Sequence, residues 1–238
     1  MLFAMVTTAD DPYKVGLLRS LPDADTRLRL FAADIYKPDE FKPAIKGCHF
    51  VFHMATPLQH NTNSSQAYAH SKTLAEKEVL SYCEKDNGGL GIVSLACGLV
   101  GGDTLLSCIP ESMGVLISQV INDMSRYQML RALQELLGKV PIAHIEDVSE
   151  AHIFCMEKQI INGRFLCASA YLTTTEIAKY YGQYCPDIAI APEFLEEVDR
   201  RIGWGSTKLS EIGFEYKCDI KMILEDSVEC GRRMGNLK

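Results

Sequence analysis

The uncharged run Ile92-Val-Ser-Leu-Ala-Cys-Gly-Leu-Val100 decides how this chain is expected to fold. Such a run predicts a strand that is buried on both faces, as the strands of a parallel sheet are. A long helix is predicted before it, over residues 68–85, and a shorter helix after it, over residues 111–122. Strands that alternate with helices indicate βαβ units, so the sequence predicts an α/β fold with a mostly parallel sheet.

The same alternation extends along the chain in both directions. Further strands are predicted over residues 2–6, 28–33, 49–54, 140–145 and 164–168. Further helices are predicted over residues 38–46, 131–137, 147–157, 174–181 and 220–233. Thr173 and Glu176 have the spacing of a helix start, in which the two residues cap each other. The polar stretch 56–66 is expected to form turns or a loop.

Composition excludes several classes of protein. The 238 residues carry a net charge of −7 and are 47% hydrophobic, which is typical of a globular protein with a core. Nucleic-acid binding is not expected, because phosphate contacts need clustered Lys and Arg. No apolar run is long enough for a membrane span, and the first residues do not resemble a secretory signal. The nine scattered cysteines include no Cys-x-x-Cys pair, so we expect reduced thiols and a cytoplasmic protein.

The pair Tyr68 and Lys72 is the central candidate for chemistry. Residues four apart lie on one face of a helix. An ammonium close to a phenol favours the phenolate and so lowers the pKa of the tyrosine from about 10. A tyrosine tuned in this way can give a proton to a carbonyl oxygen, or take it back. The alternative from spacing alone is an ordinary amphipathic helix face.

Three other groups of residues have a structural alternative that we favour. Gly98-Leu-Val-Gly101-Gly102 could cradle a phosphate, but it also suits a strand end. His144, Asp147 and His152 could form a polar cluster, or they could simply pack a second lobe. Cys97 is predicted to be a small core residue rather than a nucleophile. No metal site is predicted.

Five blocks occur in an order that points to one family. They are Ala33-Asp-Ile35, Phe52-His-Met-Ala-Thr-Pro57, Tyr68-Ala-His-Ser-Lys-Thr-Leu-Ala-Glu76, His144-Ile-Glu-Asp-Val-Ser-Glu-Ala-His152 and Leu209-Ser-Glu-Ile-Gly-Phe214. Together they resemble the extended short-chain dehydrogenases/reductases. The most similar group is the plant dihydroflavonol reductase, anthocyanidin reductase and cinnamoyl-CoA reductase family.

The resemblance implies an incomplete Rossmann-type parallel sheet with a small C-terminal substrate lobe. Residues 1–105 would be a partial dinucleotide-binding domain, and residues 106–238 the substrate-side lobe with returning elements of the sheet. The cofactor would be NADP(H), the substrate a small phenolic or flavonoid molecule, Tyr68 the acid/base, and Lys72 its partner at the nicotinamide ribose. The other implied cofactor contacts are Asp34 and Ile35 at the adenine, Met54, Ala55 and Thr56 along the cofactor, and Ser112 at the phosphates.

The chain departs from the family pattern in three respects. It contains no Gly-x-x-Gly-x-x-Gly turn, which in this family lets the backbone approach the pyrophosphate. Near its start it has Asp10 where the family tends to have an Arg for the 2′-phosphate of NADPH, and a carboxylate would repel that phosphate. Only eleven residues separate Thr56 from Tyr68, whereas a crossover with its strand needs about 30. The family's Ser or Thr that binds the substrate carbonyl has no match here. Two hypotheses follow: an NADPH-dependent reductase with weakened or lost cofactor binding, or a non-catalytic truncated relative that either binds a partner or is a non-functional variant.

Overall fold

The computed structural model describes residues 2–6, 12–34, 36–54, 65–85, 90–158, 161–196 and 205–237. The chain forms two compact units, residues 1–61 and residues 62–238. The predicted domain boundary after residue 105 divides the chain differently, and it stays a prediction. None of the helices in the described ranges combines the length and the apolar character that a membrane crossing requires.

Seven strands and ten α-helices alternate in the described residues. The strands are β1 (Leu2–Val6), β2 (Leu28–Ala32), β3 (Val93–Cys97), β4 (Leu99–Gly101), β5 (Val140–His144), β6 (Gly163–Cys167) and β7 (Ala170–Leu172). The helices are α1 (Pro12–Arg19), α2 (Ala24–Arg27), α3 (Lys42–Ile45), α4 (Ser65–Lys85), α5 (Glu111–Leu116), α6 (Met124–Leu137), α7 (Ile145–Glu157), α8 (Thr174–Tyr184), α9 (Lys208–Glu211) and α10 (Ile220–Arg233). Two 3₁₀ turns lie at Pro38–Phe41 and Pro192–Leu195.

The first unit contains one parallel strand pair. Leu2 of β1 lies opposite Leu28 of β2, and the register continues to Val6 and Ala32. Helices α1 and α2 lie between the two strands in the chain, as a parallel crossover requires. Both predicted strands are therefore confirmed, whereas the helix at Pro12–Arg19 was not predicted.

The predicted strand over residues 49–54 is wrong. These residues have no regular secondary structure, and Phe50, Val51 and Met54 are exposed, Met54 to 71%. An alternating apolar pattern gives a strand only where a neighbour supplies ladder hydrogen bonds. Among the described strands, none pairs with this segment.

The second unit contains two sheets. In the first of them, β3 and β6 pair in parallel, with Val93 opposite Gly163 and Cys97 opposite Cys167. In the second, β5 lies between β4, which is parallel to it, and β7, which is antiparallel. The mainly parallel pairing with intervening helices agrees with the predicted α/β fold.

The core of the second unit is built around β5. All five residues of this strand are buried, and helices α6, α7 and α10 contact it. Fully burying one large apolar side chain stabilises a fold by about 1.5–3 kcal/mol. Large side chains that are fully buried in this core include Leu116, Leu130, Ile142, Ile177, Tyr181, Ile223 and Leu224.

The apolar run 92–100 forms two strands rather than one. Gly98 interrupts it, and β3 and β4 then belong to different sheets. The prediction of burial on both faces is also wrong, because β3 is half-buried and its last residue, Cys97, is exposed. Among the described strands, β3 has a ladder partner on one side only, so its apolar side chains are incompletely covered.

Helix boundaries follow local capping. Thr173 caps α8 through a reciprocal pair, in which its hydroxyl accepts from the Glu176 amide at 3.1 Å and Glu176 accepts from the Thr173 amide at 2.7 Å. This confirms the predicted helix start. The helix predicted over residues 111–122 ends earlier, at Leu116, and the chain turns through Asn122, whose φ of 52° is incompatible with a continuing α-helix.

Candidate active site

Helix α4 carries both members of the predicted Tyr–Lys pair. The predicted helix is confirmed, with Tyr68 and Lys72 one turn apart in it. The backbone of Tyr68 is described, whereas its side chain lies outside the described part of the structure. Lys72 is half-buried, and so are Glu76 and Leu80, whereas the residues between them are exposed. Tyr68 precedes Lys72 by four residues in this helix, and its place at the site stays a prediction.

Glu76 connects this face of the helix to the sheet. Its Oε1 accepts from Arg164 Nε of β6 at 3.0 Å and also from the hydroxyl of Ser94 in β3. Glu76 therefore links the half-buried face of α4, on which Lys72 lies, to strands β3 and β6. The sequence placed Glu76 in a family block but gave it no role. The signal that could have found it is its position four residues after Lys72.

The predicted adenine-side residues belong to the first unit. Asp34 follows β2, and its Oδ1 accepts from the amide of Tyr36 at 3.0 Å. Its own amide donates to Glu40 Oε2 at 2.8 Å, which closes the turn. A carboxylate just beyond a parallel strand lies where α/β sheets bind ligands. Met54 is exposed, and three other predicted contacts, Ile35, Ala55 and Thr56, lie outside the described residues.

Ser112 is a separate predicted contact in the second unit. It lies in the first turn of the six-residue helix α5 and is half-buried. The end of this helix is buried through Met113, Val115 and Leu116. A role for Ser112 at the cofactor phosphates stays a prediction.

The glycines at 98–102 are accounted for by packing. A side chain at Gly98 would approach the Pro141 carbonyl oxygen to 2.7 Å, so the glycine lets β5 come close. Gly102 has a φ of +106°, and a Cβ there would lie 2.5 Å from Nε2 of His144. Protein atoms occupy the space in which a phosphate would be cradled, so the strand-end alternative is the better interpretation.

His144, Asp147 and His152 do not form one cluster. The buried His144 ring accepts from the Glu146 amide through Nδ1 at 3.2 Å, and its Nε2 lies 3.2 Å from Asp226 Oδ2. Because Nδ1 accepts, the neutral ring carries its proton on Nε2. His152 bonds instead to the carbonyl of Val148 at 2.7 Å. This agrees with the packing interpretation of the sequence.

The buried carboxylate of Asp147 accepts hydrogen bonds from a distant segment of the chain. It is 1% exposed, and its two oxygens accept from the amides of Lys217 at 2.8 Å and Cys218 at 3.2 Å. A buried carboxylate is stable only with such donors. Asp147 therefore attaches the segment before α10 to the start of α7.

His144, Glu146 and Cys218 bring possible metal-ligand atoms within 4.8 Å of one another. Both ring nitrogens of His144 already have protein partners, because Nδ1 accepts from the amide of Glu146 and Nε2 lies 3.2 Å from Asp226 Oδ2. The trio is better explained as part of the cap of α7.

Two described side chains have groups of the kind that a nicotinamide dinucleotide uses, namely the carboxylate of Asp34 in the first unit and the ammonium of Lys72 in the second. Their roles at the adenine and at the nicotinamide ribose stay predictions. The pyrophosphate needs backbone amides at a glycine-containing turn before a helix. Residues 7–11, between β1 and α1, read Thr-Thr-Ala-Asp-Asp and contain no glycine. Since the glycines at 98–102 are used in packing, neither segment fits a pyrophosphate.

Comparisons with known proteins agree with this architecture. Residues 56–167 match the family described as NAD dependent epimerase/dehydratase. The chain is 27% identical to an anthocyanidin reductase ((2S)-flavan-3-ol-forming) of Vitis vinifera over an alignment of 307 positions, which covers 99% of this chain and 90% of that protein. It is 26% identical to the dihydroflavonol 4-reductase of Arabidopsis thaliana, with 94% of this chain and 74% of that protein covered.

A solved structure has the same fold. Vestitone reductase from alfalfa (Medicago sativa) superposes with a TM-score of 0.80 at 23% identity, covering 99% of this chain and 91% of that one. The predicted Rossmann-type α/β fold is thereby confirmed. The chain therefore contains an epimerase/dehydratase domain of the extended short-chain dehydrogenase/reductase type, and flavonoid reductases are among its relatives.

Proposed function

We propose that this chain is an NADPH-dependent reductase of the flavonoid type whose turnover is impaired. The observation that carries the proposal is that Lys72 and Glu76 lie on the half-buried face of α4, four and eight residues after Tyr68 in the same helix. The relatives named for anthocyanidin and dihydroflavonol reduction support a small phenolic or flavonoid substrate.

The contribution of this chain to the reaction is the proton. NADPH, when bound, supplies the hydride that reduces the substrate. Tyr68 holds a proton at its phenol oxygen and donates it to the substrate oxygen that becomes negative. The ammonium of Lys72, one helical turn away, favours the phenolate that is left behind. Glu76 holds the helix in the rotation that the pair requires.

Impairment is proposed from the chemistry that these residues do not provide. Neither candidate segment fits a pyrophosphate, so we expect weak cofactor binding. The short connection between Thr56 and Tyr68 leaves out the Ser or Thr that the family uses at the substrate carbonyl. By analogy with the removal of one oxyanion-hole donor, that loss raises the barrier by roughly 3–4 kcal/mol.

The test combines cofactor titration with turnover of a dihydroflavonol. Purified wild-type protein, Tyr68→Phe and Tyr82→Phe are titrated with NADPH while thermal melting and NADPH absorbance are followed. Tyr82 lies on the same helix and is 55% exposed, which makes it a matched control. We expect weak binding and slow turnover in wild type, a loss of turnover of about 100-fold or more in Tyr68→Phe, and no change in Tyr82→Phe.

Each other outcome decides against part of the proposal. Turnover that survives in Tyr68→Phe would remove the catalytic assignment. Tight, saturable binding of NADPH would contradict the proposed impairment of cofactor binding. Melting would show such binding, because a ligand at 100 times its Kd adds about 2.7 kcal/mol of stability. A folded protein that neither binds NADPH nor reduces the substrate would exclude the reductase.

A second candidate function is favoured by one observation. The apolar side chains of Phe50, Val51 and Met54 are exposed in a segment without regular structure. Exposed apolar patches often mark protein-binding surfaces. A non-catalytic relative that binds a second copy of the chain through this segment would lose self-association when Phe50→Ser and Val51→Ser are combined, as light scattering would measure. An unchanged scattering profile would exclude this candidate.

A further inference from the structure

Cys97 and Cys167 end two neighbouring strands. They are the last residues of β3 and β6 and lie directly opposite each other in the parallel register. Paired residues of adjacent strands point to the same face, and adjacent strands are about 4.7–4.9 Å apart. Disulfides form when the two Cα atoms are about 4.4–6.8 Å apart. The strand spacing therefore permits a bond between these two sulfurs without a change of register.

The two thiols differ in exposure and in acidity. Cys97 is exposed, whereas Cys167 is fully buried. A hydrogen bond from the Cys167 thiol lowers the pKa of Cys97. The same bond, together with burial, raises the pKa of Cys167 well above its ordinary value. Cys97 is therefore the accessible sulfur with the greater thiolate fraction, and Cys167 is a protonated partner beside it.

We propose that Cys97 and Cys167 are a redox pair, which a peroxide converts into a reversible disulfide between β3 and β6. The Cys97 thiolate attacks one peroxide oxygen, the O–O bond breaks, and Cys97 becomes a sulfenic acid as water leaves. The Cys167 sulfur then attacks the Cys97 sulfur, loses its proton, and expels a second water. Two thiols and one peroxide thus give one disulfide and two waters, so the sulfurs lose the two electrons that the peroxide gains.

The second step is helped by the first. The largest cause of the raised pKa of Cys167 is its hydrogen bond to the Cys97 sulfur. Once Cys97 is a neutral sulfenic acid, the thiolate no longer holds that proton. The hydroxyl of Tyr216, which accepts from the Ala168 amide at 3.1 Å, also hydrogen-bonds Cys167 and lowers its pKa. Cys167 therefore becomes a better nucleophile when a resolving thiol is needed.

The other described cysteines lack this arrangement. Burial raises the pKa of Cys155, Cys185, Cys218 and Cys230. Cys48 is half-buried and Cys108 is exposed, but both lie outside the strands and have no cysteine opposite them in a described ladder. This makes Cys108 the matched control for exposure without pairing.

The experiment uses the full chain and stoichiometric hydrogen peroxide. Wild type, Cys97→Ser and Cys108→Ser are oxidised, alkylated, digested without reductant and analysed by mass spectrometry. We expect a cross-linked peptide containing residues 97 and 167 in wild type and in Cys108→Ser, and its loss in Cys97→Ser. Dithiothreitol should restore both thiols. The oxidised wild type should also unfold at a higher urea concentration than the reduced protein, because the bond closes a long loop.

Several outcomes would overturn the pair. Cross-links that join other cysteines, or a wild-type Cys97 that stops at sulfinic acid, would show that Cys167 does not resolve it. Cys97 oxidation no faster than that of Cys108 would remove the proposed activation. Cys167→Ala gives an independent test, because it leaves Cys97 exposed. In this variant we expect Cys97 to over-oxidise at least tenfold more than in wild type, and equal over-oxidation would contradict the proposal.

Discussion

Strands β5 and β3 are both apolar in sequence, yet they differ in burial. Every residue of β5 is buried, between two strands and under three helices. The residues of β3 are half-buried or exposed, and β6 is its ladder partner among the described strands. An uncharged run thus indicates that a strand can be buried, whereas the neighbouring strands and helices determine how much of it is buried. We call the well-covered surroundings of β5 the closed region and the partly covered surroundings of β3 the open region.

The largest expected effect compares core truncation in the two strands. Ile142→Ala, in β5, removes three carbons from a fully buried site and should cost about 2–5 kcal/mol of unfolding free energy. Leu95→Ala, in the half-buried β3, should cost about 1 kcal/mol, because less apolar surface is lost. Urea unfolding measures both values. Equal losses of unfolding free energy would show that β3 is as well covered as β5 and would contradict the difference between the two strands.

We expect an intermediate effect from the loss of polar contacts, which differs between the buried Asp147 and the partly exposed Glu76. Asp147→Asn leaves one carbonyl oxygen for the two amides of Lys217 and Cys218, so one of them faces an NH₂ group. Leaving a buried donor unpaired costs about 1–3 kcal/mol.

Glu76→Gln is the counterpart in the open region. Glu76 uses the same oxygen for Arg164 and for Ser94, which an amide can still provide, so we expect a loss below about 1 kcal/mol. Thermal melting of both variants at pH 7 ranks them. A larger loss of stability in Glu76→Gln than in Asp147→Asn would contradict the view that the surroundings of Glu76 are the more open of the two.

The smallest effect concerns the ion pair at the end of β4. Arg233 holds Asp103 with a bond of 2.9 Å from Nη1 to Oδ2, and this contact lowers the pKa of Asp103 below its ordinary value of 3.8. A depressed folded-state pKa stabilises the protein above the unfolded pKa, and this contribution is lost as the pH falls through the folded value.

Asp103→Asn should therefore lower the urea midpoint slightly at pH 7, and the difference from wild type should shrink as the pH falls below about 4. Both groups are about half exposed, so added salt should also reduce the difference. A difference that grows in acid would contradict the sign of this prediction.

Local signals predicted much of the fold. The cap at Thr173 and the helix at Ile220–Arg233 depend on residues a few positions apart, and the structure has both as predicted. The strand predicted at 49–54 is wrong because the apolar pattern of a segment does not show whether another strand pairs with it, and none of the described strands does. Helix α1 was missed since Pro12–Arg19 has little amphipathic pattern to recognise.

Only the contacts of the candidate site between residues close in sequence could be predicted. The spacing of Tyr68 and Lys72 is read from four residues of one helix, and Lys72 does lie on the half-buried face. The role of Glu76 depends on Arg164, which is 88 positions away in sequence. The closeness of Cys97 to Cys167 depends on strand register. Neither of these long-range pairings has a signature in the residues around it.

The attachment of Lys217 and Cys218 to Asp147 has a consequence for synthesis on the ribosome. Until residues 217 and 218 have emerged, the carboxylate at the start of α7 lacks the two amides that compensate its burial. The core around β5 therefore closes only after the segment before α10 has been synthesised. Shortening the chain before residue 217 would leave a nascent domain with an uncompensated anion, whereas an extension after α10 would leave this closure intact.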